Sequence, residues 1–436
     1  MRFRLACLNL VTGLFLIATI IAACVATSVL FWPGPPLRIT WPAGPALLSP
    51  SEVIPLPSAP PLSPVTATAE PTPSATSSPT VTPTPTETPT ETPSATPYAN
   101  LVLGPYLQSP NLSEIVVVWE VDQASPGEVA FGRVGGELVV ESDASPPRRH
   151  HEVVLTGLEP GTSYRYQVRL DGAPLAPERT FQTWPAGGDE GLRFAVLGDT
   201  QTGHTIHRSI VERIASWEPD FVLHTGDLVA DGTSTADWLT FFDLEAPLLA
   251  QRLLFPTLGN HDMGPDNLFA FFDPPGSQPW YTFQVGPARF ITLQIDGRQS
   301  YDEGSEQYRW LEALLEENEL PWVIVWFHMP PFSASSERPE EVSIRQELVP
   351  LFDRYAVDLV LNGHDHNYQR YEVGHVTYIV TGGGGGNLHA AAPEADGLGA
   401  YAMAHHFVGI RIQAGTLTGE AIAPDGSVID RFSISD

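Results

Sequence analysis

The chain has 436 residues, which gives room for two globular domains and a tether. Its formal charge is -29 and all 22 of its basic residues are arginine. This balance excludes a nucleic-acid partner, because DNA or RNA binding needs a basic face. The cysteines Cys7 and Cys24 both lie near the N-terminus, so the body of the protein has no disulfide framework.

The N-terminal segment is an apolar run, residues 5–32, that follows two arginines. About 20 apolar residues span a bilayer, and arginines before the run predict a cytoplasmic N-terminus. We therefore predict a signal anchor over residues 1–32. A cleaved signal peptide is one alternative. A lipoprotein acylated at Cys24, the last residue of the lipobox-like Ile21-Ala22-Ala23-Cys24, is another. All three interpretations place the body of the protein outside the cytoplasm.

Residues 33–97 consist mainly of proline, threonine, serine and alanine, with few charged side chains. A segment of this composition cannot bury a hydrophobic core, and its prolines favour extended backbone. We predict a disordered tether between the membrane segment and the globular part of the chain.

Residues 98–185 have the pattern of an all-β domain, with strands predicted at residues 115–119 and 128–132. Leu158, Pro160 and Tyr164 have the spacing of a tyrosine corner, in which a phenol closes a loop between two strands of a sandwich. These features predict a fibronectin type III-like sandwich.

From Leu192 onward, short apolar strands alternate with amphipathic helices, which indicates α/β organisation. The predicted strands cover residues 194–197, 221–224, 322–327 and 357–361, and the predicted helices cover residues 206–217 and 305–317. Residues 406–434 predict antiparallel strands around the turn Pro424-Asp425-Gly426.

Polar residues that are typical metal ligands follow several of these strands. They are Asp199, Asp227, Asn260, His328, His364 and His366. Each one alone is explained as well by a turn, a helix cap or a core histidine. The carboxyl ends of strands, however, are where α/β proteins form ligand sites. Together the six side chains can hold two divalent metals, an arrangement that hydrolyses phosphate esters.

The motifs Gly259-Asn260-His261-Asp262 and Gly363-His364-Asp365-His366 are specific in themselves. With them, and with Gln307-Tyr308-Arg309-Trp310-Leu311 and Asn367-Tyr368-Gln369-Arg370, the sequence resembles the calcineurin-like metallophosphoesterases over residues 190–436. It is most similar to the purple acid phosphatases and their bacterial relatives, which carry an N-terminal fibronectin-like domain. The resemblance implies an α/β (α+β) fold, in which a β-sandwich flanked by helices holds a dimetal site at one edge.

The resemblance also implies a role for each motif residue. Asp199 and His366 would bind the first metal, Asn260, His328 and His364 the second, and Asp227 would bridge both. The metals would polarise the phosphoryl group and provide a hydroxide for in-line attack. His261 would hydrogen-bond to the transition state or protonate the leaving oxygen, and Asp262 would orient His261.

Two positions depart from the family pattern. Purple acid phosphatases have a tyrosine ligand three residues after the bridging aspartate, where this chain has Ala230. Many family members also have a histidine two residues after the first aspartate, where this chain has Gln201. Gln201 would bind the first metal through its oxygen or only hydrogen-bond to the nucleophile. The resemblance thus implies two divalent ions, with no requirement for Fe(III). Mn, Fe and Zn are favoured, and Mg and Ca are alternatives at the first site.

Other polar residues have open roles. His204 and His207 can reach a substrate or lie on a helix surface, and His224 fits a position behind the site or in the core. Arg370 can meet a phosphate or pair with an acid. The five-glycine run 382–386 lacks the Lys-Ser/Thr of a P-loop, so we interpret it as a tight turn beside the site.

We therefore predict a monomeric phosphatase, secreted or tethered to a membrane, that acts on small phosphate esters. Phosphodiester or nucleotide hydrolysis is an alternative reaction at the same centre. A non-catalytic surface-binding protein with structural metals is the alternative from another class. The pair His261-Asp262 argues against it, because a structural metal site has no use for these side chains.

Overall fold

The computed structural model describes residues 99–108, 113–143, 145–184, 191–335, 341–392 and 395–435. The predicted signal anchor at residues 1–32 and the predicted tether at residues 33–97 lie outside these ranges. Within the ranges, no helix has the length and apolar character needed to cross a bilayer.

The N-terminal part of the described chain is all β. Its strands are β1 (Leu101–Gln108), β2 (Ile115–Ser125), β3 (Glu128–Arg133), β4 (Val139–Ser142), β5 (Arg148–Leu155), β6 (Ser163–Leu170), β7 (Ala173–Pro174) and β8 (Arg179–Gln182). They form one antiparallel sheet in the order β1-β2-β5 and a second in the order β4-β3-β6-β7, with β8 also paired to β6.

The tyrosine corner is present in this N-terminal part. The backbone N–H of Glu159 donates a hydrogen bond of 2.9 Å to the hydroxyl oxygen of Tyr164. Tyr164 and Leu158 are both buried, so the loop before β6 is fixed against the core as the spacing predicted.

The C-terminal part contains both helices and strands. Its strands are β9 (Leu192–Leu197), β10 (Phe221–His224), β11 (Leu253–Pro256), β12 (Tyr281–Val285), β13 (Ala288–Thr292), β14 (Trp322–Trp326), β15 (Leu359–Asn362), β16 (Tyr368–Val373), β17 (Val376–Thr381), β18 (Leu398–Ala402), β19 (Phe407–Gln413), β20 (Thr416–Ile422) and β21 (Val428–Ser435). Its helices are α1 (His204–Trp217), α2 (Thr235–Leu249), α3 (Pro265–Phe269), α4 (Glu306–Glu316), α5 (Val342–Glu347) and α6 (Val349–Arg354).

These strands form two sheets. One has the order β11-β10-β9-β19-β20-β21, and the other has the order β12-β13-β14-β15-β17-β16-β18. Strands β9, β10 and β11 run parallel to one another, as do β13, β14, β15 and β17. The predicted class of sandwich flanked by helices is confirmed. The tail forms the predicted antiparallel strands, and β20 pairs with β21 around the predicted turn.

Apolar residues explain why these strands are buried on both faces. All five residues of β14 are buried. Phe194 of β9 and Phe290 of β13 meet edge to face with ring centroids 5.2 Å apart, which places side chains of the two sheets in one core. Helix α4 begins after Ser305, whose hydroxyl accepts the N–H of Tyr308. It buries Leu311 and Leu315 against the outer face of the second sheet.

The all-β part packs directly on the C-terminal part. Trp184 lies within 5.9 Å, centroid to centroid, of the rings of Phe221, Phe255 and Phe283. The hydroxyl of Tyr166 donates to the carbonyl of Ala250 at 2.7 Å. Buried aromatic contacts of this kind make a continuous core, so the two parts stabilise one another.

Candidate metal centre

The predicted ligands lie beyond the carboxyl ends of five strands, three in one sheet and two in the other. Asp199 follows β9, Asp227 follows β10, Asn260 follows β11, His328 follows β14, and His364 and His366 follow β15. Because both sheets present these ends at the same edge of the sandwich, side chains from distant parts of the sequence converge there.

The turns that carry the ligands have unusual backbone geometry. Asp199, Asp227 and His364 adopt positive φ angles of 60°, 54° and 68°, a region that non-glycine residues occupy only at a cost. The neighbouring glycines provide the space. A Cβ on Gly259 would lie 2.1 Å from Asp227 Oδ1, and one on Gly363 would lie 2.5 Å from Asp199 Oδ2. The glycine before Asn260 therefore makes room for Asp227, and the glycine before His364 makes room for Asp199.

One group of ligand atoms surrounds His328 Nε2. This nitrogen lies 3.4 Å from Asp227 Oδ2, 3.2 Å from Asn260 Oδ1 and 3.1 Å from His364 Nδ1. Atoms that sit about 2.1 Å from a shared ion lie about 3.0–3.4 Å apart in octahedral or tetrahedral geometry. The atoms of Asp227, His328 and His364 all fall within 4.8 Å of one another. These residues fit a divalent metal.

A second group surrounds His366 Nε2. This nitrogen lies 3.4 Å from Asp199 Oδ1 and 3.3 Å from the amide nitrogen of Gln201. Gln201 Oε1 is buried and has no hydrogen-bond partner within the described part of the chain. A flip of the amide would turn this oxygen toward His366 Nε2, so a metal ion held there would satisfy a buried acceptor that is otherwise unpaired.

The two groups adjoin each other. The backbone N–H of His364 donates to both carboxylate oxygens of Asp199, at 3.0 and 2.9 Å. The N–H of Asp199 donates to the carbonyl of Gly226, and the N–H of Thr200 to that of Asp227, both at 3.0 Å. These bonds hold Asp199 and Asp227 side by side. Asp227 therefore lies between the two groups, as its predicted role of bridging two ions requires.

Backbone carbonyls orient two of the imidazoles. His328 donates from Nδ1 to the carbonyl of Thr225 at 2.9 Å, and His366 donates from Nδ1 to the carbonyl of Asn387 at 2.7 Å. With the proton on Nδ1, Nε2 of each ring keeps its lone pair directed at the site. Both histidines therefore present the atom that a metal binds.

The charges at the site depend on one another. Burial opposes ionisation of Asp227, but the charge of His328 and its hydrogen bond outweigh burial and lower the pKa of the Asp227 carboxyl well below its usual value. Burial likewise opposes protonation of His328, yet the charges of Asp227 and Asp199 raise the pKa of His328 to about 10. A divalent cation at the centre supplies the positive charge that the His328 proton otherwise provides.

His261 lies at the edge of the centre. Its backbone N–H donates to Asp227 Oδ1 at 2.8 Å, and its ring Nδ1 lies 3.0 Å from the carbonyl of Ala230. The side chain is only partly buried. With Nδ1–H donating to Ala230, Nε2 remains available to exchange a proton.

The prediction that Asp262 orients the His261 ring is wrong, because the Asp262 carboxylate has other partners. The Asp262 carboxylate is fully buried and accepts backbone N–H groups instead. These are the N–H groups of Asp227 (2.9 Å), Leu228 (2.9 Å), Val229 (3.3 Å) and Gly259 (2.7 Å). Asp262 therefore joins the turn after β10 to the turn after β11, and the carbonyl of Ala230 orients His261.

The arginine and the three histidines whose roles the sequence left open lie in different environments. Arg370 forms an ion pair with Asp430 at 2.7 Å, which is the second of its two predicted roles. His224 is fully buried between the hydroxyl of Thr200 and the N–H of Gly226, behind the site. His207 is fully buried and not on a helix surface, whereas His204 is exposed.

The glycine run 382–386 forms a close turn beside the site. The N–H groups of Gly384 and Gly386 donate to the carbonyls of Gly198 and Asp199, at 2.9 and 2.8 Å. A Cβ on Gly386 would lie 2.5 Å from the His366 ring. Close approach of backbone to the metal centre explains these glycines.

His389 is a residue of the site that the sequence did not indicate. Its ring stacks on His366 with centroids 4.3 Å apart, and its Nδ1 lies 3.2 Å from Asp365 Oδ1. Asp365 also accepts the hydroxyl of Ser333 at 2.9 Å. His389 follows no strand end, so the only signal was its position three residues after the glycine run.

The chain is similar to two protein families and to several known proteins. Residues 192–368 match the calcineurin-like phosphoesterase model, and residues 103–183 match the purple acid phosphatase N-terminal domain model. An uncharacterised protein of Mycobacterium tuberculosis is 34% identical over 320 residues, covering 59% of this chain and 59% of that protein. Purple acid phosphatase 18 of Arabidopsis thaliana is 30% identical over 283 residues, covering 58% and 62%.

The chain therefore aligns with about three-fifths of the length of these relatives. Among solved structures, a purple acid phosphatase from yellow lupin seeds superposes with a TM-score of 0.66 at 22% identity, covering 76% of this chain and 74% of that one. The structure of PhoD superposes with a TM-score of 0.60 at 14% identity, covering 76% and 89%. Both similarities concern the fold.

Proposed function

Because residues 192–368 belong to the calcineurin-like phosphoesterase family and residues 103–183 to the purple acid phosphatase N-terminal domain, we propose that this protein hydrolyses small phosphate monoesters at a centre of two divalent metals. One observation carries the proposal. Ligand atoms from five strand ends form two groups, and neighbouring atoms within each group lie 3.1–3.4 Å apart, the spacing of donors around one ion.

The ligand set divides between two ions. Asp199, His366 and Gln201 would hold one ion, and Asn260, His328 and His364 the other, with Asp227 shared. Mixed carboxylate, amide and imidazole donors suit Mn, Fe and Zn. When bound, such a pair supplies Lewis-acid polarisation of the phosphoryl group and activation of water.

The remaining chemistry belongs to the protein's own residues. His261 has Nε2 free for proton exchange, because its Nδ1–H donates to the Ala230 carbonyl. It would protonate the leaving oxygen of the ester. The bond from the His261 N–H to Asp227 Oδ1 keeps this acid beside the carboxylate that the two ions would share, where the phosphoryl group would bind.

We also propose that the enzyme works as a monomer outside the cytoplasm, secreted or held at a membrane by residues 1–32. The support is the sequence of that segment, with its long apolar run after two arginines. Fractionation of cells that produce the full chain, followed by protease treatment of intact cells, tests this location.

The activity is tested with phosphate monoesters and diesters in the presence of added Mn, Fe or Zn. We expect the monoesters to be preferred and activity to follow metal content. Asp227→Asn should lose metal and activity together, because a shared carboxylate supplies charge to both ions. Two ions per chain with near wild-type turnover in this variant would show that Asp227 is not shared.

A further inference from the structure

A cavity of about 450 Å³ lies beside the metal centre. Its walls come from the loop that follows β9, the first turn of α1, the first ten residues of α2 and the loop that follows β10. Pockets of about 300–1,000 Å³ are large enough for a small organic molecule. Among the residues that hold the metals in the proposed function, only Gln201 is among the described residues that line it.

Two residues connect the cavity to the centre. Gln201 lines the cavity, and its amide lies 3.3 Å from His366 Nε2. Ala230 also lines it, and its carbonyl accepts the Nδ1–H of His261. A group bound in the cavity would therefore lie next to a candidate metal ligand and next to the acid that protonates the leaving oxygen.

Most of the surface of the cavity walls is apolar, although His204 and several threonines also line it. Phe241, Leu244 and Val229 line it and are buried. Asp237 is the one acidic residue among the described residues that line it, and no arginine is among them. The Asp237 carboxylate already accepts the N–H of Asp231 at 3.1 Å and the hydroxyl of Ser234 at 3.0 Å. The apolar part of the walls suits an uncharged apolar group.

A buried contact holds the two helical walls in place. His207 of α1 bonds to Glu245 of α2 at 2.7 Å, and both side chains are fully buried. The ring of His207 lies beside that of Phe241, with centroids 6.2 Å apart. The cavity is thus formed before a ligand arrives, so little ordering opposes binding.

We propose that this cavity binds the leaving group of the substrate, and that the preferred substrates are phosphate monoesters of uncharged aryl or long alkyl alcohols. The inference rests on the proposed function and deepens it. Ester cleavage leaves the phosphate at the metals, and the alcohol, protonated by His261, departs from the cavity.

The test narrows the cavity without touching the metal ligands. Thr240 lines the cavity from α2, so Thr240→Trp should obstruct it. Ala236 lies one turn earlier on α2 and is exposed, so Ala236→Trp is the matched control. We expect Thr240→Trp to lower kcat/KM for naphthyl phosphate about 10-fold or more, and to change that for methyl phosphate less than about twofold. Ala236→Trp should change neither.

Calorimetry separates the failure of this inference from failure of the proposed function. Phenylphosphonate should bind the metal-loaded protein more tightly than methylphosphonate, and Thr240→Trp should remove the difference while metal content stays constant. Equal affinities, no binding of either compound, or an equal loss on both esters would overturn the inference. Absence of hydrolysis with every ester would overturn the proposed function, and the phosphonates would still report on the cavity.

Discussion

Asp262 determines the geometry of the centre through the backbone. Its carboxylate receives four N–H groups from two turns, and these turns carry Asp227 and Asn260. Burial and the charge of Asp227 raise the pKa of Asp262, and the hydrogen bonds from the backbone N–H groups oppose this rise. Asp262 is therefore a positioning residue for these two turns, although the family resemblance implied that it orients His261.

We predict that Asp262→Asn lowers metal content and activity together and destabilises the fold. The amide replaces one acceptor oxygen by an N–H donor that faces other donors, so the unfolding free energy should fall by about 2–4 kcal/mol. Metal analysis and urea unfolding measure the two effects. Full metal content with a purely catalytic defect would return Asp262 to the role of orienting His261.

His261 should contribute to the rate without holding metal. We predict that His261→Ala keeps near-normal metal content and lowers kcat about 10²–10⁴-fold on alkyl phosphates, whose leaving oxygen needs a proton. The loss should be smaller on nitrophenyl phosphate, whose leaving group is stable as an anion. The distant exposed His375 gives the control variant His375→Ala. An equal loss on both ester types would limit His261 to binding the phosphoryl group.

The sequence predicted the candidate ligands because their signal is local: each follows an apolar strand within a few residues. It could not predict the contacts of Asp262, since these join residues up to 35 positions apart and depend on the shape of two turns. His389 was missed for the same reason. It reaches His366 from a loop, and stacking between two rings leaves no periodic pattern in the sequence.

At the scale of elements, helix α2 was the main structure that the sequence did not indicate. Its buried side chains include Trp238, Phe241, Phe242, Leu244, Glu245, Leu248 and Leu249. They cover several sides of the helix, because α2 packs on α1 and also on the all-β part, where Phe242 meets Tyr106 with ring centroids 4.8 Å apart. A helix buried on several sides has only a narrow polar face, and Pro247 lies inside it, so the helical period is obscured.

Strand β1 also holds the segment that follows the His261-Asp262 turn. The hydroxyl of Tyr106 donates to the carbonyl of Phe271 at 2.8 Å. The Gln108 amide donates to the same carbonyl, and its oxygen accepts the N–H of Asp273 at 2.5 Å. The all-β part thus fixes the loop after α3, about ten residues beyond the proposed catalytic acid.

We predict that Gln108→Leu loosens this loop. The substitution leaves the N–H of Asp273 without its acceptor, which costs about 1–3 kcal/mol. Hydrogen exchange across residues 263–273 should become faster, with little change at β14. Gln167→Leu, which removes an amide contact within the all-β part, is the control. Unchanged exchange in this loop would show that Tyr106 alone is enough to hold it.

At the scale of the whole molecule, both sheets of the C-terminal part contribute ligands, so the centre depends on the sandwich staying closed. The all-β part helps to close it. Trp184 covers Phe221, Phe255 and Phe283, each of which is buried. Aromatic side chains bury about 150–250 Å² each, so removal of the all-β part would expose a large apolar patch at the edge of the core.

We predict that a fragment of residues 98–436 is soluble, monomeric and able to bind metal. It retains the all-β part and the C-terminal part, and it leaves out the apolar run and the tether. A fragment of residues 191–436 should aggregate or lose cooperative unfolding, although it contains every predicted ligand. Light scattering and metal analysis of the two fragments measure this difference. If the shorter fragment were monomeric and bound two ions with an unchanged unfolding midpoint, the aromatic contacts of Trp184 would add nothing to the stability of the centre. Aggregation of both fragments, with active full-length protein in detergent, would instead show that residues 1–97 are needed for solubility.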